Sequence, residues 1–316
     1  MQNTKFVNCA LCGADDYIVV SKKGRFNMPV RNVICKKCGL IYVNPRMPES
    51  YYKRFYSSKK YRELYDKREK PDKNYEEKIK KEIEERFQYI LNRLIKLKIK
   101  KGSVLDVGCN TGYLLYLFKN KEWKCMGIEP SQDFAEYGKK IYNINIKTEF
   151  LEKAKLKEKF DLIILSHVLE HFEDPNKALS KIKRNLKSRG FLYIEVPNIL
   201  KPYNNLSFFF QNAHLYTFSP NTLTAVLAKN GFKVEWLDDS GTFLKIFARS
   251  SDFVDNPIGD DYKLILSFIK KYKTKRLFLN IYDFSARSFF SLMDIIIGKD
   301  TSRKLFKYMK NIKSKI

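Results

Sequence analysis

The sequence predicts an α/β fold: a seven-stranded, largely parallel sheet with helices on both faces and an antiparallel last strand, preceded by a small cysteine-bearing module and followed by a helical tail. Three observations predict it. Strand-like and helix-like segments alternate from Ser103 onward, the mark of parallel strands joined by crossover helices. The last two strand-like runs, "GFKVEWLDD" and "TFLKIFARS", meet at the short "DDSGT" turn, which is too tight for a right-handed crossover and forces an antiparallel pair. Two Cys-x-x-Cys-Gly knuckles stand ahead of this alternation, at Cys9/Cys12 and Cys35/Cys38.

The first segment, 1–47, is read as a zinc-binding ribbon. Tetrahedral zinc takes four thiolates, a Cys-x-x-Cys turn delivers two, and four protein ligands leave no open position, so a metal on Cys9, Cys12, Cys35 and Cys38 is structural. The N-terminus "MQNTKFVNCALCG" has no apolar signal segment and no run of 18 apolar residues occurs anywhere, so the chain is expected in the cytoplasm, where reduced thiols favour metal over disulfides. The second segment, 48–100, opens with tyrosine-rich, highly charged sequence and continues as a helical stripe of Ile79, Ile83, Phe87, Ile90, Leu91, Leu94 and Leu97. The tyrosines are expected to pack this linker onto the following domain, and the stripe to lie against its sheet.

The third segment, 101–252, carries the strands "SVLDVG", "KCMGIEP", "NIKTEF", "FDLIILS", "GFLYIEVPN", "GFKVEWLDD" and "TFLKIFARS", with helices expected between each of the first six. After the first strand, Gly108 and Gly112 bare the backbone of a strand-to-helix turn, so that its N–H groups are expected to face a ligand. Asp106 precedes that turn, and Glu129 ends the second strand, placed to hold both ribose hydroxyls of a nucleoside. A nicotinamide dinucleotide would ask for a second glycine at Asn110, and its diphosphate would be repelled by Asp106. S-adenosylmethionine carries no phosphate, and its sulfonium and ammonium suit a carboxylate.

From Val104 to Arg249 the segments "VLDVGCNTG", "GIEPS", "FDLIILSHVLEHFEDP", "GFLYIEVPN" and "HLYTFSPNTLTAVLAKNGFKV" resemble the successive motifs of class I S-adenosylmethionine-dependent methyltransferases, whose Rossmann-like sheet ends in an antiparallel hairpin. The resemblance implies that Asp106, Gly108, Cys109, Asn110 and Gly112 line the methionine end of the cofactor, with Ser166 and His167 beside them. It places Glu129 at the ribose and Glu149 and Phe150 at the adenine. The knuckles and "HLYTFS" resemble methyltransferases of sugar and surface-polysaccharide pathways, which keep a catalytic histidine there. His214 is accordingly the candidate base, titrating near neutrality, although the glutamate that often precedes it is Ala213. The string "HVLEH" resembles a magnesium-binding motif of ubiquinone-pathway O-methyltransferases, so His167, Glu170 and His171 are a candidate magnesium site.

The balance of 61 Lys+Arg against 35 Asp+Glu gives +26, which suits a polyanionic partner. The lysines are spread along the whole chain, as a solvated surface would have them, so a nucleic-acid partner is not expected. The last segment, 253–316, is basic: from Lys263 onward it holds 14 basic and 3 acidic residues, interleaved with apolar groups. It reads as amphipathic helices that rest on an anionic membrane surface or pack on the domain or a second subunit. The expected activity is methyl transfer to a sugar, a lipid-linked glycan precursor or a similar small metabolite. An RNA methyltransferase and a non-catalytic zinc-binding scaffold are the alternatives.

Overall fold

Short runs of β-branched and aromatic residues near the N-terminus pair as an antiparallel meander: β1 (Tyr17–Lys23), β2 (Pro29–Cys35) and β3 (Ile41–Val43). The computed structural model describes residues 4–67, 70–202, 205–252, 259 and 261–275, and residues 1–265 form one compact unit. Each knuckle turns on a glycine. Gly39 has φ +79° and donates its N–H to the Cys35 carbonyl, and a side chain there would run into the backbone of Asp261.

The tyrosine-rich stretch folds into α1 (Glu49–Ser57) and α2 (Lys59–Asp66). Their rings pack on one another, with Phe55 edge-on to Tyr56 and Tyr61. The predicted apolar stripe forms α3 (Lys73–Lys96), started by the Asp72 side chain accepting from the Tyr75 N–H at 2.7 Å. Phe87, Ile90 and Leu94 on that stripe are buried.

The large sheet uses β4 (Ser103–Val107), β5 (Lys124–Ile128), β6 (Asn145–Lys147), β7 (Phe160–Ser166), β8 (Leu186–Pro197), β10 (Phe232–Asp238) and β11 (Phe243–Ser250). Between them in the chain lie α4 (Tyr113–Lys119), α5 (Gln132–Tyr142), α6 (Pro175–Asn185), α7 (Leu206–Phe209), the two-residue β9 (Tyr216–Thr217) and α8 (Pro220–Lys229). The strand order is β10-β11-β8-β7-β4-β5-β6. The inner strands are parallel, and β11 runs antiparallel to both β10 and β8. The predicted hairpin is therefore present, with its last strand inserted between its partner and the fifth strand.

The two faces of the sheet carry two cores. One joins α3 and α4 to β4 and β7 through Phe87, Leu94, Leu115, Phe118 and Leu162. The other joins α6 and α8 to the opposite face and to Cys9, Cys35 and Tyr42 of the N-terminal ribbon. Each fully buried large apolar side chain contributes roughly 1.5–3 kcal/mol, so the ribbon gains its stability partly from the domain it rests on.

One expectation is corrected, and one element was not foreseen. Between β6 and β7 there is a turn at 151–153 and no helix among the described residues, because "LEKAKLKEK" offers too few apolar positions to build a helical face. The segment "HLYTFS" contributes a strand: β9 pairs antiparallel with β3 and completes a four-stranded sheet, order β1-β2-β3-β9. Of the basic tail expected over 253–316, the described residues show a helix over 262–275, and the other expected helices lie outside the described residues. No helix among the described residues is long and apolar enough to cross a membrane.

Candidate functional site

The parallel strands β4, β5 and β7 end on the same edge, where a cavity of about 420 Å³ opens under α1, α2 and α3. At the end of β4, Asp106 is 5% exposed. Burial pushes its carboxyl up to about 8, with Glu129 adding to the rise and Arg86 opposing it. A neutral carboxylic acid is thus held where a cationic ligand would restore its charge.

The turn that follows has Gly108, Asn110 and Gly112 at φ +72°, +55° and +73°, a left-handed run that glycine adopts without steric penalty. A side chain at position 108 would meet Val168 at 2.7 Å. The N–H groups of the turn are spent within the protein, against expectation: Gly108 and Cys109 donate to the Ile128 carbonyl, Gly112 to the Cys109 carbonyl, Asn110 to Glu129 and Thr111 to the Asn110 side chain. No amide of this turn is left for a phosphate. A phosphate-free nucleoside does not need one.

Glu129, at the end of β5, is held by the N–H groups of Asn110 at 3.0 Å and Ser131 at 2.9 Å and by Arg62 of α2 at 3.3 Å. Its two oxygens are fixed side by side, as paired hydroxyls require. At the end of β7, Ser166 Oγ is buried without a hydrogen-bond partner, an orphan donor on the cavity wall. Asp106, Gly108, Cys109, Asn110, Glu129, Glu149, Phe150, Ser166 and His167 all line the cavity. Gly112 does not: it caps α4 behind the turn.

Two of the three histidines, His167 and His171, line the cavity. His167, at φ +56°, places its ring nitrogens 3.7 Å from Glu170 and 3.7 Å from Glu195. Burial alone would lower its pKa, but these two carboxylates prevail and raise it to about 9. Glu195 is held well below the usual carboxylate range, where His167 and the Arg86 guanidinium at 2.8 Å outweigh its burial. His171 lines the cavity. Its Nδ1 lies 2.8 Å from the Ala213 carbonyl and 2.8 Å from the Tyr56 hydroxyl. His214 stands behind it, ring centroids 4.8 Å apart, and is not part of the cavity wall. Burial, with help from the His171 charge, pushes His214 down to about 3. Its imidazole stays neutral at physiological pH rather than titrating near neutrality.

The candidate magnesium set is regrouped by the fold. Glu170, His171 and His214 bring one ligand atom each within 4.8 Å of one another, whereas His167 turns to its two carboxylates. Two imidazoles beside one carboxylate are a poor match for magnesium, which prefers oxygen donors.

In the N-terminal ribbon the four knuckle cysteines converge. Cys9 and Cys38 sulfurs lie 3.5 Å apart, those of Cys12 and Cys35 3.4 Å, and one sulfur from each of the four falls within 4.8 Å of the others. All four are free thiols. The set fits tetrahedral zinc, which would hold all four as thiolates and neutralise their mutual repulsion.

Sequence reasoning did not single out Arg62, Arg86, Glu195 or Tyr56. The density of tyrosines in the linker was the available signal for Tyr56. Arg86 and Glu195 are 109 positions apart, and nothing local joins them.

A family model described as a methyltransferase domain matches residues 75–237. Over 127 residues the chain is 30% identical to a malonyl-acyl-carrier-protein O-methyltransferase of Acetivibrio thermocellus, covering 38% of this chain and 44% of that protein. Over 108 residues it is 36% identical to a tRNA U34 carboxymethyltransferase of Campylobacter fetus, covering 31% of this chain and 38% of that one. The chain thus spans less than half the length of these curated relatives. Among solved structures, a magnesium protoporphyrin IX methyltransferase from Synechocystis PCC 6803 superposes with a TM-score of 0.49 at 15% identity, over 65% of this chain and 100% of that one. A SAM-dependent methyltransferase from Archaeoglobus fulgidus gives 0.46 at 22% identity, over 56% and 98%.

Proposed function

The chain belongs to the methyltransferase-domain family, and from that membership we propose that it binds S-adenosylmethionine and methylates a sugar or similar small hydroxylated metabolite. One observation carries the cofactor reading. A glycine-bared turn with its amides already hydrogen-bonded, guarded by the buried carboxyls of Asp106 and Glu129, favours a cationic, phosphate-free nucleoside over a dinucleotide. Asp106 receives the cationic methionine end, Glu129 the ribose hydroxyls, and Glu149 and Phe150 flank the base.

When bound, S-adenosylmethionine supplies an already activated methyl group, so the protein's part is to position the acceptor, exclude water and take up a proton. The cap supplies the first two. Tyr52, Tyr56 and Tyr61 line the cavity, and their ring faces suit the C–H surface of a sugar ring. Glu49, Glu152 and Glu173 stand on the same wall, which disfavours an RNA backbone close to the reacting centre. The acceptor proton is handled by the histidine group, with His171 at the cavity and His214 behind it. Cys9, Cys12, Cys35 and Cys38 hold a structural zinc in this reading.

Incubation with methyl-labelled S-adenosylmethionine and separate sugar, glycan-precursor and RNA fractions tests the proposal. Label is expected in the small-molecule or glycan fraction, and His214→Ala is expected to keep cofactor binding while losing turnover about 10²–10⁴-fold. Label that enters only RNA, with binding that falls steeply as salt rises, would replace the acceptor assignment. Undiminished turnover in His214→Ala would remove that residue from the chemistry.

A further inference from the structure

Glu170 is the central residue of the short 3₁₀ turn over Leu169–His171. It is 1% exposed, and neither of its carboxylate oxygens has a hydrogen-bond partner. Its ionic neighbour His167 Nδ1 stands 3.7 Å away, beyond hydrogen-bond distance. His167, shared with Glu195, supplies its ion pairing, yet both oxygens keep hydrogen-bonding capacity that a bound cation would satisfy. The neighbouring groups are suited to hold one.

His171 has its Nδ1 2.8 Å from the Ala213 carbonyl, with Tyr56 Oη at 2.8 Å from the same nitrogen. A carbonyl can only accept, so the proton sits on Nδ1 and Nε2 keeps its lone pair for a metal. This is the arrangement by which outer hydrogen bonds orient a metal-binding imidazole. His214, brought in from a segment 43 residues further on, stands edge-on to His171, with the Gln211 amide nitrogen 2.9 Å from its Nε2 and 3.2 Å from its Nδ1, a contact that a cation bound to the ring would displace. One donor atom from each of Glu170, His171 and His214 falls within 4.8 Å of the other two.

We propose that Glu170, His171 and His214 form a second metal site, separate from the four cysteines, for a divalent transition cation such as zinc, manganese, iron or cobalt. Two imidazoles and one carboxylate are the donor set of such ions rather than of magnesium. Three protein ligands leave positions open, and His171 is the member of the set that faces the cavity. Resting on the methyl-transfer reading, the site has a use. An acceptor hydroxyl bound at the open position would be acidified by the cation and lose its proton to solvent. Its oxygen then forms the O–CH3 bond as the S–CH3 bond of the sulfonium breaks, the electron pair staying on sulfur and S-adenosylhomocysteine leaving as a neutral thioether. His214 then serves as a ligand that holds the activating ion, and no longer as the free base.

The test counts metal and needs neither cofactor nor acceptor, so it stands apart from any failure of the methyl-transfer reading. The full-length protein, its cysteine site filled with zinc, is titrated with Mn2+ and the free ion followed by electron paramagnetic resonance. Wild type is expected to take up one Mn2+ per chain, and Glu170→Gln and His214→Asn each to weaken it by at least ~10-fold. Circular dichroism melts run beside the titrations show that the variants are folded. A variant that melts early is set aside, and the wild-type stoichiometry decides alone. No uptake of Mn2+, Co2+ or further Zn2+ by wild type, or variants that titrate as wild type does, would overturn the proposal.

Discussion

Asp106 shows how a residue's neighbours set its role. In the free protein its acid is held up to about 8 by burial first, whereas the unfolded chain releases that proton near 3.8. Between those values the folded state binds more protons than the unfolded one, so this residue's contribution to stability falls as pH rises. A cationic ligand reverses the balance, because it favours the carboxylate. Cofactor binding at pH 7 is therefore expected to release a proton, seen as a binding enthalpy that changes with the buffer's ionisation heat. An enthalpy independent of buffer would contradict the assignment. That Asp106, Gly108 and Glu129 share one cavity was legible in the sequence, because a glycine-bared turn and an acid closing consecutive parallel strands end on the same sheet edge. The raised pKa of Asp106 was not, since it comes from burial, with Glu129 adding to it, prevailing over the opposing Arg86, and these are tertiary facts. The near-neutral titration expected of His214 failed for the same reason: burial beside His171 is a tertiary fact.

At the scale of elements, periodicity was the reliable guide. The stripe on α3 places Phe87 in edge-on contact with Phe118 of α4, centroids 5.0 Å apart, and Trp123 packs on Phe118 at 5.4 Å. Phe118 is fully buried, so Phe118→Ala is expected to cost about 3–5 kcal/mol, read as a lowered urea midpoint with an unchanged slope. A cost below about 1 kcal/mol would mean that this core is not formed as described. The elements that were misread or not foreseen are those with weak local signals. The lysine-rich stretch before β7 has no apolar face to make a helix. The two residues of β9 become a strand only because β3 presents an open edge to them.

Across the compact unit of residues 1–265, the N-terminal ribbon and the catalytic sheet share a core. Ribbon residues Cys35 and Tyr42 belong to the same apolar cluster as Leu215 and Phe218, and the Arg46 side chain donates to the Tyr216 hydroxyl at 3.0 Å. A metal on the four cysteines would therefore act past them, on the segment that carries His214. Removing zinc with a chelator is expected to lower the melting temperature of the whole unit and to raise backbone hydrogen exchange in β9 as well as in the ribbon. Exchange confined to the ribbon would show that the two are uncoupled. The knuckles were readable from spacing alone, but their union with β9 was not, because the partner strands are separated by more than half the chain.

The central claim is that the cavity was built for a cationic nucleoside without phosphate, and isothermal calorimetry tests it most directly. Wild type is expected to bind one S-adenosylmethionine per chain and to ignore NAD, and Asp106→Ala, still folded by circular dichroism, is expected to lose that binding. Binding of the dinucleotide in place of S-adenosylmethionine, or an Asp106→Ala protein that binds as tightly as wild type, would contradict the account.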